Sequence, residues 1–451
     1  MEISKRPLQD DTDVESNDNY KKSRISDVLY SELNTVNKKR LDFDIEKICS
    51  VTSSSLNVYC CLICGKYLQG RREHSPAFLH SVNENHFVFI NLDTLKVYNL
   101  PTDIEIKDQG KIQLINDIRY AIYPRFDKSE IIHFPQRCFD LNNKLYINGY
   151  VGISNVQSNG FVQSILQLLA HIEPIRDWFL LNEIDSEESF MKNIKLIIRK
   201  LWSTKLFKSH ISADEFFAFL SIHENFEKMI QDPKIFLLKI INSIIKSSQE
   251  LGLILKEQLL GKVSISTSAI SGKEANSNKV VKSPFWLLTL DLPTQTVFRN
   301  ALEVNDLPQV KLGELLIKFN GINEYPTLGG VKKYKILKLP RYLILHFNRF
   351  DNKEKTPVKD RNQTLVEFPT LMELQKTKYQ LIANIIHEPL HELSVDNTSN
   401  EDLQSKWKAQ LLNEKDEQWY EIDGTEVKIK ERELLFLSET YLQVWKKITV
   451  D

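Results

Sequence analysis

Gly149-Tyr150-Val151-Gly152-Ile153-Ser154-Asn155-Val156-Gln157-Ser158-Asn159-Gly160-Phe161-Val162-Gln163-Ser164-Ile165-Leu166-Gln167 divides into a polar, glycine-punctuated half and an apolar half. Phe161, Ile165, Leu166, Leu168 and Leu169 recur at helical spacing, so the second half predicts a helix packed into a core. The segment before Gly160 reads as a polar turn leading into it. Taken alone, the stretch is equally a plain buried helix, and later segments have to decide.

Four of them do. Ser283–Pro293 reads as a strand with an exit turn, and Tyr342–Phe350, Tyr379–His387 and Tyr441–Lys446 read as further strands. In this order the five segments resemble the ubiquitin-specific peptidases, whose first box is G-L-x-N-x-G-N-T-C-[FY]-M-N-S-x-L-Q. Their later strands read L-I-L-H-L-K-R-F, Y-x-L-x-A-V-I-x-H and A-Y-I-L-F-Y. The resemblance implies an α+β chain with a papain-like domain of thumb, palm and fingers. It places the catalytic cysteine on Gly160 and the oxyanion-hole asparagine on Asn155. A cysteine at a helix start is turned into a thiolate by the helix dipole; a glycine has nothing to ionise.

The family's last catalytic box is G-H-Y followed by W-x-x-F-D. Trp419-Tyr420-Glu421-Ile422-Asp423 supplies the second part, and the first falls on Ser405-Lys406-Trp407. Lys406 thus replaces the histidine base, while Asp423 keeps the aspartate position. Asp423-Gly424 is also a turn pair, and a turn residue is its expected present role. Losing the nucleophile or its base costs roughly 10⁶ in one well-studied triad. No isopeptidase activity is therefore expected. Cys138 is the one cysteine beyond residue 64 and reads as a packed thiol; His387 and His391 are histidines without an assigned role.

A second cluster lies upstream. Cys61-Leu62-Ile63-Cys64 is followed by His80 and His86, a C-x₂-C-x₁₅-H-x₅-H pattern. Two thiolates and two imidazoles form the donor set of a structural zinc, whereas C-x-x-C alone also suits a redox pair. Ser75-Pro76 predicts a helix start with Ser75 as N-cap, carrying His80. Residues 86–92 then read as a strand leading towards Leu95–Tyr98. A DNA-reading finger would have a shorter gap and a basic helix; this helix is apolar. The segment instead resembles the zinc finger of ubiquitin peptidases, with Gln69 and Pro76 where that pattern has further ligands. One Zn²⁺ is expected, on Cys61, Cys64, His80 and His86. Cys49 and Cys60 are expected as packed thiols and His74 as a surface residue. Arg71 matches the arginine with which such fingers hold the ubiquitin tail, but Tyr59 and the Val97–Asn99 segment depart from its aromatic partners.

A degenerate finger joined to a peptidase domain without its cysteine and histidine resembles a non-catalytic branch of the family that serves the U4/U6.U5 tri-snRNP. The resemblance runs from about Leu41 to Lys447. It implies a nuclear, non-catalytic splicing factor that promotes tri-snRNP assembly or stability and has no zinc in the fingers. A ubiquitin or ubiquitin-like reader without isopeptidase activity is the alternative.

The 451 residues carry a net charge of −1, with 26% charged and 42% hydrophobic residues. This balance lacks the basic footprint of a phosphate-gripping protein, so contacts to spliceosomal proteins are expected, with RNA indirect. The five cysteines fit a reducing compartment better than a disulfide framework. No signal-peptide pattern or membrane-length apolar run is present, and no membrane partner is expected. The expected organisation is a disordered tail over 1–28, the finger over 29–125, a connector over 126–148 and the pseudo-peptidase over 149–451. The tail's Lys5-Arg6 and Lys21-Lys22-Ser23-Arg24 are spaced like a two-part nuclear import signal. Val263–Lys282, rich in Ser, Gly, Asn and Lys, is expected as a mobile surface loop.

Overall fold

The computed structural model describes residues 31–107, 112–154, 160–184, 189–223, 232–268, 279–293, 308–327, 330–350, 361–389 and 405–448. The tail over 1–28, Asn155 and His391 lie outside the described residues. Two compact units form: Met1–Pro124 with Asp140–Asn143 and Lys205–Lys208, and Arg125–Phe139 with Lys144–Thr204 and Ser209–Asp451. No helix among the described residues is long and apolar enough to cross a membrane.

In the first unit the strands β1 (Val58–Cys61), β2 (Tyr67–Gln69), β3 (Val88–Asn91), β4 (Val97–Asn99) and β5 (Ile104–Glu105) form one antiparallel sheet, ordered β2-β1-β3-β4-β5. Helix α1 (Pro76–Glu84) separates β2 from β3, and α2 (Ile112–Ile122) follows β5. Successive residues of a strand point to opposite faces, and β1 shows the consequence. Val58 and Cys60 join a core with Val88, Ile90, Ile115 and Ile118 of the α2 side. Tyr59 and Cys61 join the other, with Leu68, Ala77 and Phe89. Two adjacent cysteines are thereby sorted, and only Cys61 faces α1.

The second unit begins with α3 (Lys128–Ile132), β6 (Arg137–Phe139), β7 (Leu145–Ile147) and β8 (Gly152–Ser154). Residues 126–148, expected as a connector, therefore carry regular structure: Asp127 and Glu130 close a capping box on α3, and β6 pairs with β7. Helices α4 (Gly160–Ala170), α5 (Glu173–Leu181) and α6 (Ser189–Leu201), strand β9 (His210–Ser212), and α7 (Asp214–His223), α8 (Pro233–Ser247) and α9 (Gln249–Leu259) follow. In α4 every residue from Phe161 to Ala170 is buried. Its inward amide nitrogens find backbone partners nearby, Gln163 donating to the Ser154 carbonyl and Gln167 to that of Val151.

The remainder is mostly sheet. It comprises β10 (Gly261–Ser268), β11 (Lys279–Phe285), β12 (Leu288–Asp291), β13 (Gln309–Lys311), α10 (Leu312–Leu316), β14 (Tyr325–Thr327), β15 (Gly330–Lys338), β16 (Tyr342–Asn348), β17 (Leu365–Glu367), β18 (Leu371–Leu374), β19 (Thr377–Pro389), β20 (Ser405–Asn413), β21 (Gln418–Asp423), β22 (Glu426–Lys430) and β23 (Glu439–Lys447). The large sheet runs β12-β16-β23-β19-β20-β21-β22, with β18 on β19, and a four-stranded sheet runs β11-β10-β15-β14. Leu290, Leu343, Leu345, Phe347, Leu381 and Trp445 share a core with Val263 and Ile336 of the smaller sheet.

The predicted loop over Val263–Lys282 is corrected here. Residues 263–268 and 279–282 belong to β10 and β11, paired along their length; 269–278 lie outside the described residues. On β10, Val263 and Ile265 alternate with polar residues, a two-residue period that the Ser- and Lys-rich composition hides.

Candidate functional site

The metal-ligand cluster is built by one tight turn and one helix. β1 ends on Cys61, and the turn to β2 is closed by the Gly65 amide donating to the Cys61 carbonyl and the Cys61 amide donating to that of Lys66. Gly65 has φ +82, and a Cβ there would lie 2.3 Å from the Arg40 carbonyl oxygen, so the turn requires glycine. Cys64 is thereby turned back towards Cys61. His80 projects from α1, which ends on Asn85 in the left-handed conformation, and the reversal brings in His86. Ser75 sits at the cap position, but its hydroxyl donates to the Arg72 carbonyl rather than capping the helix.

The donor atoms of Cys61, Cys64, His80 and His86 all lie within 4.8 Å of one another. Cys64 Sγ is 3.4 Å from His80 Nε2, which is 3.1 Å from His86 Nδ1. Tetrahedral zinc with its usual bond lengths would set these separations at roughly 3.5 and 3.3 Å. The donor set therefore fits the ion in chemistry and in size. The hydrogen bond between the two thiols pulls Cys64 down to about 4 and pushes Cys61 up.

The other predicted finger residues fall outside this cluster. Cys60 is fully buried on the opposite face, and burial pushes its thiol up. Cys49 accepts from the amides of Val51, Thr52 and Gln69. Burial pushes its thiol up, but the bonds from Thr52, Val51 and Gln69 outweigh this and leave it below the ordinary value. Gln69 also bonds Thr52 and Ser54. His74 is exposed. Arg71 is ion-paired to Asp103 and lies 4.5 Å over the Tyr98 ring. The group expected to meet a ubiquitin tail is already engaged within the finger, a pairing hidden in sequence because Asp103 lies far downstream.

In the second unit Gly160 opens α4 against β20. A Cβ on Gly160 would lie 3.2 Å from the Trp407 carbonyl oxygen and 3.4 Å from its nitrogen. The neighbouring Lys406 places Nζ 2.7 Å from Asp423 Oδ2, and Lys408 approaches the same oxygen at 3.5 Å while pairing with Glu388 at 2.5 Å. Gly160, Lys406 and Asp423, distant in sequence, thus come to one place. Asp423 ends β21 before Gly424, at φ +56, so it holds the predicted turn position, but it is also an ion-pair partner. Beneath the helix start, a cavity of about 10 Å³ lined by Gln163, Gln167, Trp407 and Gly424 has room for no more than about one water.

Among the described residues no substitute base is assembled at this place. His387 is buried against Trp407 and Phe350 with Nδ1 3.3 Å from Glu439, and burial holds it below the ordinary imidazole range. Cys138 is buried on β6 beside Tyr146, its thiol pushed up by burial.

The geometry agrees with comparison to known proteins. Residues 151–445 match the family described as ubiquitin carboxyl-terminal hydrolase, and 49–111 match the Zn-finger in ubiquitin-hydrolases and other protein. The chain belongs to the ubiquitin carboxyl-terminal hydrolase family. It is 44% identical over 430 residues to the pre-mRNA-splicing factor SAD1 of Saccharomyces cerevisiae, covering 95% of each chain. It is 34% identical to the probable mRNA-splicing protein ubp10 of Schizosaccharomyces pombe, over 94% of this chain and 89% of that one. The crystal structure of an essential yeast splicing factor superimposes with a TM-score of 0.82 at 43% identity, covering 93% of this chain and all of that one.

For this hydrolase-family chain, restoring the thiol alone is expected to restore nothing. Gly160→Cys should release no fluorophore from a ubiquitin–aminomethylcoumarin conjugate above the rate of the unaltered chain. A lysine ammonium has three donors and no acceptor, so Lys406 cannot take the thiol's proton while paired to Asp423. Turnover by the single variant would show that Lys406 is no obstacle.

Proposed function

We propose that this chain is a non-catalytic pre-mRNA splicing factor of the nucleus, promoting assembly or stability of the U4/U6.U5 tri-snRNP through protein contacts. The observation that carries the reading is 44% identity, across 95% of both chains, to a protein named as a splicing factor. The juxtaposition of Gly160, Lys406 and Asp423 supports it from chemistry: at the place the family gives to its triad, this chain has a glycine, a cation and the anion that neutralises it. A peptidase fold retained without its nucleophile is a protein-binding surface. Within this reading Asn155, Gly160, Lys406 and Asp423 are vestiges of the triad site. Cys61, Cys64, His80 and His86 hold one structural zinc that maintains the finger.

The test is a tagged full-length chain recovered from nuclear extract across a salt series, with bound RNAs and proteins identified. Co-enrichment of U4, U5 and U6 RNAs with their proteins is expected. Recovery of ubiquitin conjugates without those RNAs would overturn the reading in favour of a ubiquitin reader.

A further inference from the structure

The near-zero net charge of the whole chain conceals a cationic surface. β10, β11 and β15 contain seven lysines (Lys262, Lys279, Lys282, Lys332, Lys333, Lys335 and Lys338) and no aspartate, glutamate or arginine. The pairing registers sort these residues between two faces. Ser264 lies between Lys282 on β11 and Lys335 on β15, Ser266 between Val280 and Lys333, and Lys262 between Pro284 and Lys338. Directly paired residues share a face, so Lys262, Lys282, Lys333, Lys335 and Lys338 stand together with Ser264 and Ser266. The opposite face carries Val263, Ile265, Phe285, Tyr334 and Ile336, which pack into the core. The sheet therefore has one side that packs on the core over part of its length and one basic, hydroxyl-bearing side.

Those cations are available. Lys262, Lys282, Lys335 and Lys338 are exposed and form no ion pair among the described residues. Lys333 pairs with Glu324, itself 60% exposed, an association that competing anions displace readily. Alternate residues of one strand are about 6.8 Å apart, comparable with successive phosphates along an RNA strand.

We propose that this face binds the phosphodiester backbone of RNA without reading its sequence. Phosphate is contacted by lysine ammonium groups and by serine hydroxyls, both present in the grid. A carboxylate-bearing peptide is the weaker match: the face lacks the arginine forks that hold carboxylates in two-point contact. It also lacks the large aromatic anchors that dominate protein interfaces. The same lack of aromatic residues leaves no platform for stacking bases, so binding is electrostatic and indifferent to sequence. The inference rests on the sheet alone and stands apart from the splicing reading.

The test is fluorescence anisotropy of the full chain with a fluorescein-labelled, mixed-sequence single-stranded RNA, between about 50 and 200 mM salt. The triple variant Lys282→Gln, Lys335→Gln, Lys338→Gln is compared with the charge-matched Lys128→Gln, Lys428→Gln, Lys447→Gln. Both are checked for an unchanged melting temperature. Three lost phosphate contacts should flatten the slope of log affinity against log salt by about 2 and weaken low-salt binding by at least about tenfold. The charge-matched variant should bind like the unaltered chain. The proposal is overturned if the unaltered chain fails to bind RNA at the lowest salt or if both triples weaken equally. It is also overturned if a polyglutamate peptide displaces the RNA more effectively than unlabelled RNA does.

Discussion

Stripping zinc from the purified chain, or replacing Cys61 by serine, is expected to melt the α1 half of the finger while leaving the peptidase-like unit folded. The core on that side is small: Tyr59, Cys61, Leu68, Ala77, Phe89 and Leu100 are its buried members. Helix α1 spans nine residues, below the length at which a helix holds by itself in water. Two of the four donors lie on or just beyond that helix and two at the end of β1 and in the turn after it, so an ion held by all four would join segments that little else joins. Structural zinc contributes about 10–16 kcal/mol in finger peptides, comparable to the whole stability of an ordinary domain. All six tryptophans (178, 202, 286, 407, 419 and 445) belong to the second unit, which separates the two responses. Hydrogen exchange should lose its protection in α1 and at Cys61–Lys66, while tryptophan emission stays native. Elemental analysis should find about one zinc per chain beforehand. Undiminished protection after verified removal would mean that the four side chains do not hold a structural metal.

Much of this is legible in the sequence. The strands at 342–348, 377–389 and 439–447 were visible because each is a long apolar segment with a recognisable box. The clustering of Cys61, Cys64, His80 and His86 is legible because their residue types are rare and their spacing informative. What escaped depended on partners distant in sequence. Asp423 read as a turn residue because its ion pair is created by the register between β20 and β21, not by its neighbours. Arg71 read as a ligand-binding group because Asp103 and Tyr98 reach it only through the folded sheet. Val263–Lys282 reads as a loop because its Ser- and Lys-rich composition hides the pairing of β10 with β11. Pairing converts scattered charge into a surface, and pairing is what a linear reading lacks.

Acidification is expected to destabilise the second unit well before its carboxylates protonate. Two histidines are held neutral by burial. His171 lies at about 4, with Nδ1 donating to the Gln167 carbonyl and with Tyr150, Trp202 and Arg176 nearby. His346 lies at about 3, packed edge-on against Tyr441, with Nδ1 3.2 Å from the Thr289 hydroxyl and Lys234 adding repulsion. An unfolded imidazole takes its proton near 6.5. As pH falls through that value the unfolded chain gains protons the folded chain refuses, so stability is complete above about 6.5 and is lost down to the folded values. From pH 7 to pH 5 each group costs about 2 kcal/mol, roughly 4 in sum. His387 shifts in the same direction and adds to the loss. Glu439, between Arg361 and His387, behaves differently. Burial pushes it up, but these partners hold it at about 2, so its contribution survives until the pH falls below about 4.5. Urea unfolding followed by tryptophan emission should therefore show a midpoint that declines steeply from pH 7 to 5. In the double variant His171→Asn, His346→Asn, which retains an amide donor near each Nδ1 position, that decline should flatten even though the midpoint at pH 7 is lower. Equal slopes for the two proteins would mean that neither imidazole is kept neutral by its burial.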